Sequence, residues 1–161
     1  MRIGFVNPFL EAASDVLSAE AGCSIERQKP RLETDKAVTN DLAVIIGVTG
    51  EARGIVMYNF SESTAKAIAS AMFCQPIPTL DKMAESALAE LANAMAGRAA
   101  VNLEHEGYFC TLTPPTIVHG RNTIISMVDL FRLVVPMKTQ HGTIEISIAL
   151  RDCKNQTRTR L

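Results

Sequence analysis

The sequence predicts an α+β fold: an antiparallel sheet with a long helix pair packed on one face. Three observations carry that expectation. Apolar periodicity runs helix, strands, two helices, strands along the chain, not the strict β-α-β alternation of a parallel sheet. Near the C-terminus, Ile144, Ile146 and Ile148 alternate with Glu145, Ser147 and Ala149, which predicts one strand face on a core and the other wetter. The chain has 161 residues, 47% of them apolar, enough for one core and too few for two ordinary domains. Residues 1–150 are therefore read as a single domain, and residues 151–161 (RDCKNQTRTRL) as a polar tail that frays.

The first helix is announced by Asn7 as N-cap and Pro8 at the first helical position. Phe9, Leu10, Ala13, Val16 and Leu17 follow at helical spacing, and Gly22 closes it. A strand is expected within Ser24–Leu32. Leu42–Val48 and Gly54–Phe60 are β-branched and aliphatic, with Gly50 and polar neighbours between them, which reads as a hairpin. Ser61 caps a second helix over Glu62–Phe73, with Ala65, Ile68, Ala69 and Met72 inward. Gln75–Pro78 breaks it. Thr79 is expected to cap a long third helix that runs to about Glu104 and ends at Gly107. Further strands are expected at Phe109–Leu112, Ile117–His119, Thr123–Val128, Phe131–Met137 and Thr143–Leu150.

Composition narrows the function classes. A net charge of −1 argues against nucleic acid or an anionic membrane as partner. No apolar run approaches the roughly 20 residues of a membrane-spanning helix, and MRIGFVNPF lacks the pattern of a signal peptide. A cytoplasmic protein is expected. Cys23, Cys74, Cys110 and Cys153 are scattered without a C-x-x-C pair, so neither a zinc site nor a redox motif is indicated. His105, His119 and His141 fall in different elements, and no metal site is expected.

The most informative stretch is Glu85–Gly97, ESALAELANAMAG. From Ser86, the residues Glu90, Asn93 and Gly97 follow at offsets of 4, 7 and 11. At the helical twist these four fall at roughly 0°, 40°, −20° and 20°, a single narrow stripe. Leu88, Leu91, Met95 and Ala99 cluster on the opposite side. Ala89, Ala96 and Ala100 flank the stripe, and neither Lys nor Arg stands within it. An ordinary solvated helix face is crowded with long charged side chains and ion pairs. This one is flat around an acid and an amide, so another protein can come close. A weaker echo stands in the first helix, where Asn7, Glu11 and Ser14 repeat the spacing without the final amide. If the echo has a structural basis, the fold carries a pseudo-two-fold with one of two sites decayed.

An acid and an amide one turn apart cannot hydrolyse a bond alone, because no Ser–His pair supplies a nucleophile. They can complete a site supplied by a partner. An amide donates and accepts, so it can hold a water in line with a phosphorus atom. Phosphoryl transfer needs mainly positioning and charge neutralisation. A carboxylate beside it can pair with a partner's cation and fix register.

On these residues the chain resembles the CheX branch of the CheC/CheX/FliY family of chemotaxis phosphatases. The resemblance rests on Ser86-x3-Glu90-x2-Asn93 followed by a proline that begins a strand. The NPFLEAASDVL opening helix, the Gly-x-Val-x strand at Gly54 and PPTIVHG at Pro114–Gly120 support it. Pro114 and Pro115 stand slightly closer to Asn93 than the family's proline, as a short loop deletion would produce. The resemblance implies a CheC-like pseudo-two-fold and dephosphorylation of a CheY-like response regulator. Mg2+ and a lysine are then supplied by the regulator, and the protein holds no cofactor of its own. It further implies that Glu90 pairs with that lysine, that Asn93 orients the attacking water, and that Ser86, Ala89 and Gly97 form the surrounding contact surface. The protein is expected to be a homodimer joined through its sheets. The alternative is a dimeric, non-catalytic module that docks a response regulator or motility component on the same stripe.

Overall fold

In the computed structural model, which describes residues 3–34, 36–126 and 131–157, a 3-10 turn (Ile3–Phe5) leads into α1 (Val6–Ala21). Three short strands follow, β1 (Glu26–Arg27), β2 (Arg31–Glu33) and β3 (Ala37–Val38), then the hairpin of β4 (Leu42–Gly50) and β5 (Ala52–Phe60). Next come α2 (Glu62–Phe73) and α3 (Lys82–His105). Three more short strands, β6 (Cys110–Leu112), β7 (Thr116–His119) and β8 (Ile124–Ile125), precede a second hairpin of β9 (Arg132–Thr139) and β10 (Gly142–Asp152). A last turn of helix is α4 (Lys154–Thr157).

The strand order is β1-β9-β10-β5-β4-β6, with β2 also on β9 and β7 also on β4, and every pairing is antiparallel. β3 and β8 pair with each other. This order is a palindrome. Exchanging each strand of the first half for its counterpart in the second, β1 for β6 through β5 for β10, returns the same sheet. α1 and α3 are counterparts in the same sense, as are α2 and α4. The expected pseudo-two-fold is thus present, with its axis between β5 and β10, where Val56 faces Ile148 and Met57 faces Ser147.

One sheet face carries the core. Leu42, Val44, Ile46, Val56, Tyr58, Phe60, Ile144, Ile146 and Ile148 form one buried cluster with Phe9 and Leu17 of α1, Ile68 of α2 and Leu88, Leu91 and Met95 of α3. Each such side chain contributes roughly 1.5–3 kcal/mol when fully buried. At Gly54 the backbone (φ +153°) passes so close to β10 that a Cβ would lie 1.9 Å from the Ala149 carbonyl oxygen, so only glycine fits.

The other sheet face departs from simple alternation. Glu145 is half-exposed as expected, but Ser147 and Ala149 are buried. The β3–β8 ribbon accounts for part of this cover, since Ala37 joins Ala43 and Met57 in a second small cluster with Ile45, Val118 and Ile125. On this face Arg31 donates to Glu33 (2.6 Å) and Glu145 (2.8 Å), and the buried Arg132 pairs with Glu33, tying β2 to β9 and β10.

Several local expectations shift. α1 starts at Val6, before Asn7, because Phe5 and Val6 are buried and the Phe5 ring packs edge-on against Tyr108, 4.9 Å between centroids. Pro8 still lies in the first turn, where its missing N–H costs nothing. α3 is capped by Asp81, whose Oδ1 accepts from the Ala84 amide at 2.8 Å, and not by Thr79. Ile77 and Leu80 pack with Ala69 and Ala84, which holds the chain against α2 until Asp81. The strand expected within Ser24–Leu32 is two short ones, split near Pro30. The strand expected over Thr123–Val128 is described only as Ile124–Ile125, and its end lies outside the described residues. The tail is ordered further than expected: Arg151 and Asp152 pair with β5, Cys153 is buried, and Lys154 donates from Nζ to the Gly107 carbonyl at 2.6 Å. Residues 158–161 lie outside the described residues.

The Tyr58 hydroxyl is fully buried and has no hydrogen-bond partner among the described residues. Such a group costs about 1–3 kcal/mol. Tyr58→Phe should therefore hold or raise unfolding free energy in urea titrations. A loss of about 1 kcal/mol would mean that the hydroxyl has a partner, such as a buried water.

Candidate active site

α3 positions the candidate residues by burying everything around them. Leu88, Leu91, Ala92, Met95, Ala96, Ala99 and Leu103 are buried, which fixes the helix's rotation about its axis. Ser86, Glu90 and Asn93 are left exposed in one row, and Gly97 is half-exposed at its end. Neither Glu90 nor Asn93 has a side-chain hydrogen bond or ion pair among the described residues. The acid and the amide, three residues apart, are thus adjacent on the helix surface and unengaged. Ala89 corrects the expected contact set. It is 6% exposed and lies at the foot of the row, so it offers little surface to a partner.

The row has two different borders. On one side, at roughly 60–80° around the helix from Ser86, stand Met83, Ala94 and Val101, all exposed. Met83 is 52% exposed. An apolar ridge beside unengaged polar groups favours a protein partner over a small hydrophilic ligand. On the other side lies β7. His119, its last residue, pairs through Nδ1 with Glu85 of α3. Nearby, Asp41 accepts from Arg121 at 2.8 Å and from the Glu62 amide at 2.7 Å. The hydrogen bond from Arg121 holds the Asp41 carboxyl below its ordinary range. Sequence reasoning noted His119 but left Glu85 outside the row. The two are 34 positions apart, and only the return of β7 alongside α3 joins them.

The first-half echo lies on the structural counterpart of α3. Asn7, Glu11 and Ser14 each precede Ser86, Glu90 and Asn93 by 79 positions. At that same spacing, Phe9, Leu10, Ala12, Ala13 and Leu17 fall on Leu88, Ala89, Leu91, Ala92 and Ala96, and all ten are buried. Asn7 and Glu11 are exposed, but Ser14 bends back to donate to the Leu10 carbonyl at 3.0 Å. That helix has a serine, not an amide, at the position that corresponds to Asn93.

The palindromic sheet, the paired helices and the exposed acid–amide row define a CheC-like protein. Solved structures agree. A CheC-like superfamily protein from Shewanella sp. PV-4 superposes with a TM-score of 0.86 over 94% of this chain and 99% of that one, at 27% identity. The CheX–CheY–BeF3–Mg2+ complex from Borrelia burgdorferi matches with a TM-score of 0.81, 30% identity, and coverage of 94% of this chain and 100% of that chain. The family described as chemotaxis phosphatase CheX matches residues 42–138. The CheY-P phosphatase CheX of Thermotoga maritima is 35% identical over 123 residues, 76% of this chain and 79% of the relative. The chain therefore belongs to the CheX family of chemotaxis phosphatases. No helix among the described residues is long and apolar enough to cross a membrane.

Gly97 carries a separate expectation. A Cβ built there meets nothing within 4 Å, so the protein's own packing does not require glycine. Glycine in a helix interior costs about 0.5–1 kcal/mol relative to alanine. Gly97→Ala should raise unfolding free energy by that amount in urea or thermal melts. A lower stability would show that the site has a packing constraint of its own.

Proposed function

We propose that this protein hydrolyses the aspartyl phosphate of a CheY-like response regulator. In this reading α3 docks on the phosphorylated receiver. Asn93 enters beside the acyl phosphate and orients a water for in-line attack on phosphorus, its carboxamide accepting a hydrogen bond from that water. Glu90 forms an ion pair with a lysine of the regulator, fixing register and drawing the two surfaces together. The regulator brings its own Mg2+, which neutralises charge on the transferring group. The P–O bond to the aspartyl carboxylate breaks as the water oxygen bonds to phosphorus, giving inorganic phosphate and a free aspartate.

One observation carries the reading. The acid and the amide are exposed together on one helix face, and no group among the described residues occupies them. Family membership and a relative captured with CheY, BeF3 and Mg2+ support the choice of partner and the source of the metal. We further propose that the protein acts as a cytoplasmic homodimer joined through its sheets. Exposed Val38 and Ile124, paired on the β3–β8 ribbon across the sheet from the helix layer, support an interface that leaves α3 free.

The test is phosphoryl loss from a panel of phosphorylated receiver domains with substoichiometric protein. Wild-type protein should shorten the lifetime of many regulator molecules per copy. A protein that only docks would affect at most an equal number, and that result would replace catalysis with binding. Asn93→Ala should lower stimulated dephosphorylation by roughly 10²–10³, as for other preorganised hydrogen-bonding groups. Its stability should change by less than about 0.5 kcal/mol. An Asn93→Ala protein with wild-type turnover would remove Asn93 from the water-positioning role.

A further inference from the structure

The Glu85–His119 pair lies beside the row but is not part of it. Glu85 directly precedes Ser86, and on the helical wheel it points about 100° away, towards β7. Along the helix axis it is only ~12 Å from Asn93. A standard protein interface buries about 800 Å² per partner, a disc of roughly 16 Å radius. A receiver centred on Glu90 and Asn93 therefore has a footprint wide enough to reach the pair.

The geometry at His119 is asymmetric. His119 faces Leu42 across the β4–β7 ladder, which places its ring on the helix side of the sheet, where Leu42 joins the core. The side chain of His119 is 50% exposed, while that of Glu85 is only 21% exposed. A carboxylate can only accept, so Nδ1 carries the hydrogen that it donates to Glu85. Nε2 has no partner among the described residues. Among the described residues, Glu85 of α3 pairs with the ring, and Asp41, itself paired with Arg121, lies close enough to feel its charge. One nitrogen is held and the other is free at the edge of the candidate site.

We infer that His119 is a docking residue for the phosphorylated regulator, its ring fixed through Nδ1 by Glu85 so that Nε2 meets a polar group on the receiver. This rests on the phosphatase reading above and adds to it a recognition group supplied by β7, outside α3. A second possibility is that the pair only clips β7 to α3.

Asparagine and glutamine separate the two roles, because Asn mimics the Nδ1 position and Gln the Nε2 position. Steady-state dephosphorylation of a receiver that wild-type protein turns over would be measured for His119→Ala, His119→Asn and His119→Gln, with a thermal melt of each. A docking role predicts that His119→Asn raises KM by about three- to tenfold, as His119→Ala does, with kcat and melting temperature unchanged. His119→Gln should recover part of the lost KM. If His119→Asn keeps the wild-type KM, only the Glu85 contact matters and the docking role is overturned. Failure of the wild-type protein to turn over any receiver would instead strike the phosphatase reading itself.

Discussion

Everything displayed on α3 depends on what it hides. Leu88, Leu91, Met95 and Ala99 are sealed against α1 and the sheet. Turning the helix half a revolution would expose these side chains and bury Glu90 and Asn93. Each large apolar side chain moved to water costs roughly 1.5–3 kcal/mol, and a buried, unpaired carboxylate costs more. The hydrophobic effect, not any contact made by the row itself, therefore sets the direction in which the acid and the amide point. Because the two do no structural work, evolution is free to shape them for a partner alone.

Much of this arrangement is legible in the sequence, and the reasons are physical. The stripe on α3, the β4–β5 hairpin and the strands β9 and β10 are local patterns, fixed by helical twist or by short-range apolar runs and alternation, and these survive in one dimension. The helix caps were harder. Asn7 and Thr79 are good cap types, but burial of Phe5 and packing of Leu80 moved the helix starts to Val6 and Lys82. Tertiary packing overrode local preference at each. The short strands were harder again. β3 and β8 are two residues each and have meaning only as partners, 86 positions apart from Val38 to Ile124. The Glu85–His119 contact was invisible for the same reason. The order of the chain's final turn depended on Cys153 and Lys154 finding Glu51 and Gly107, contacts that no composition rule for tails reveals.

The pseudo-two-fold gives the two central helices the same scaffold and different chemistry. Their buried faces agree position by position at one spacing. Their outer faces diverge where the scaffold places no demand, and the first carries a back-bonded serine where the second carries a free amide. A duplicated frame thus tolerates loss of one face, because packing is maintained by residues that the loss does not touch.

That frame also exchanges its edges. β1 and β2 come from the first half of the chain but complete the hairpin of the second, and β6 and β7 repay the exchange on β4. Neither half owns a finished sheet. A nascent first half emerging from the ribosome holds β4 with one flank bare, and must wait for α3 and β6 to be synthesised before that flank closes. Such long-range closure slows folding. It also means that β9 and β10, made after α3, enter the sheet between β5 and the waiting β1, so the first half stays open on both flanks until the second is complete.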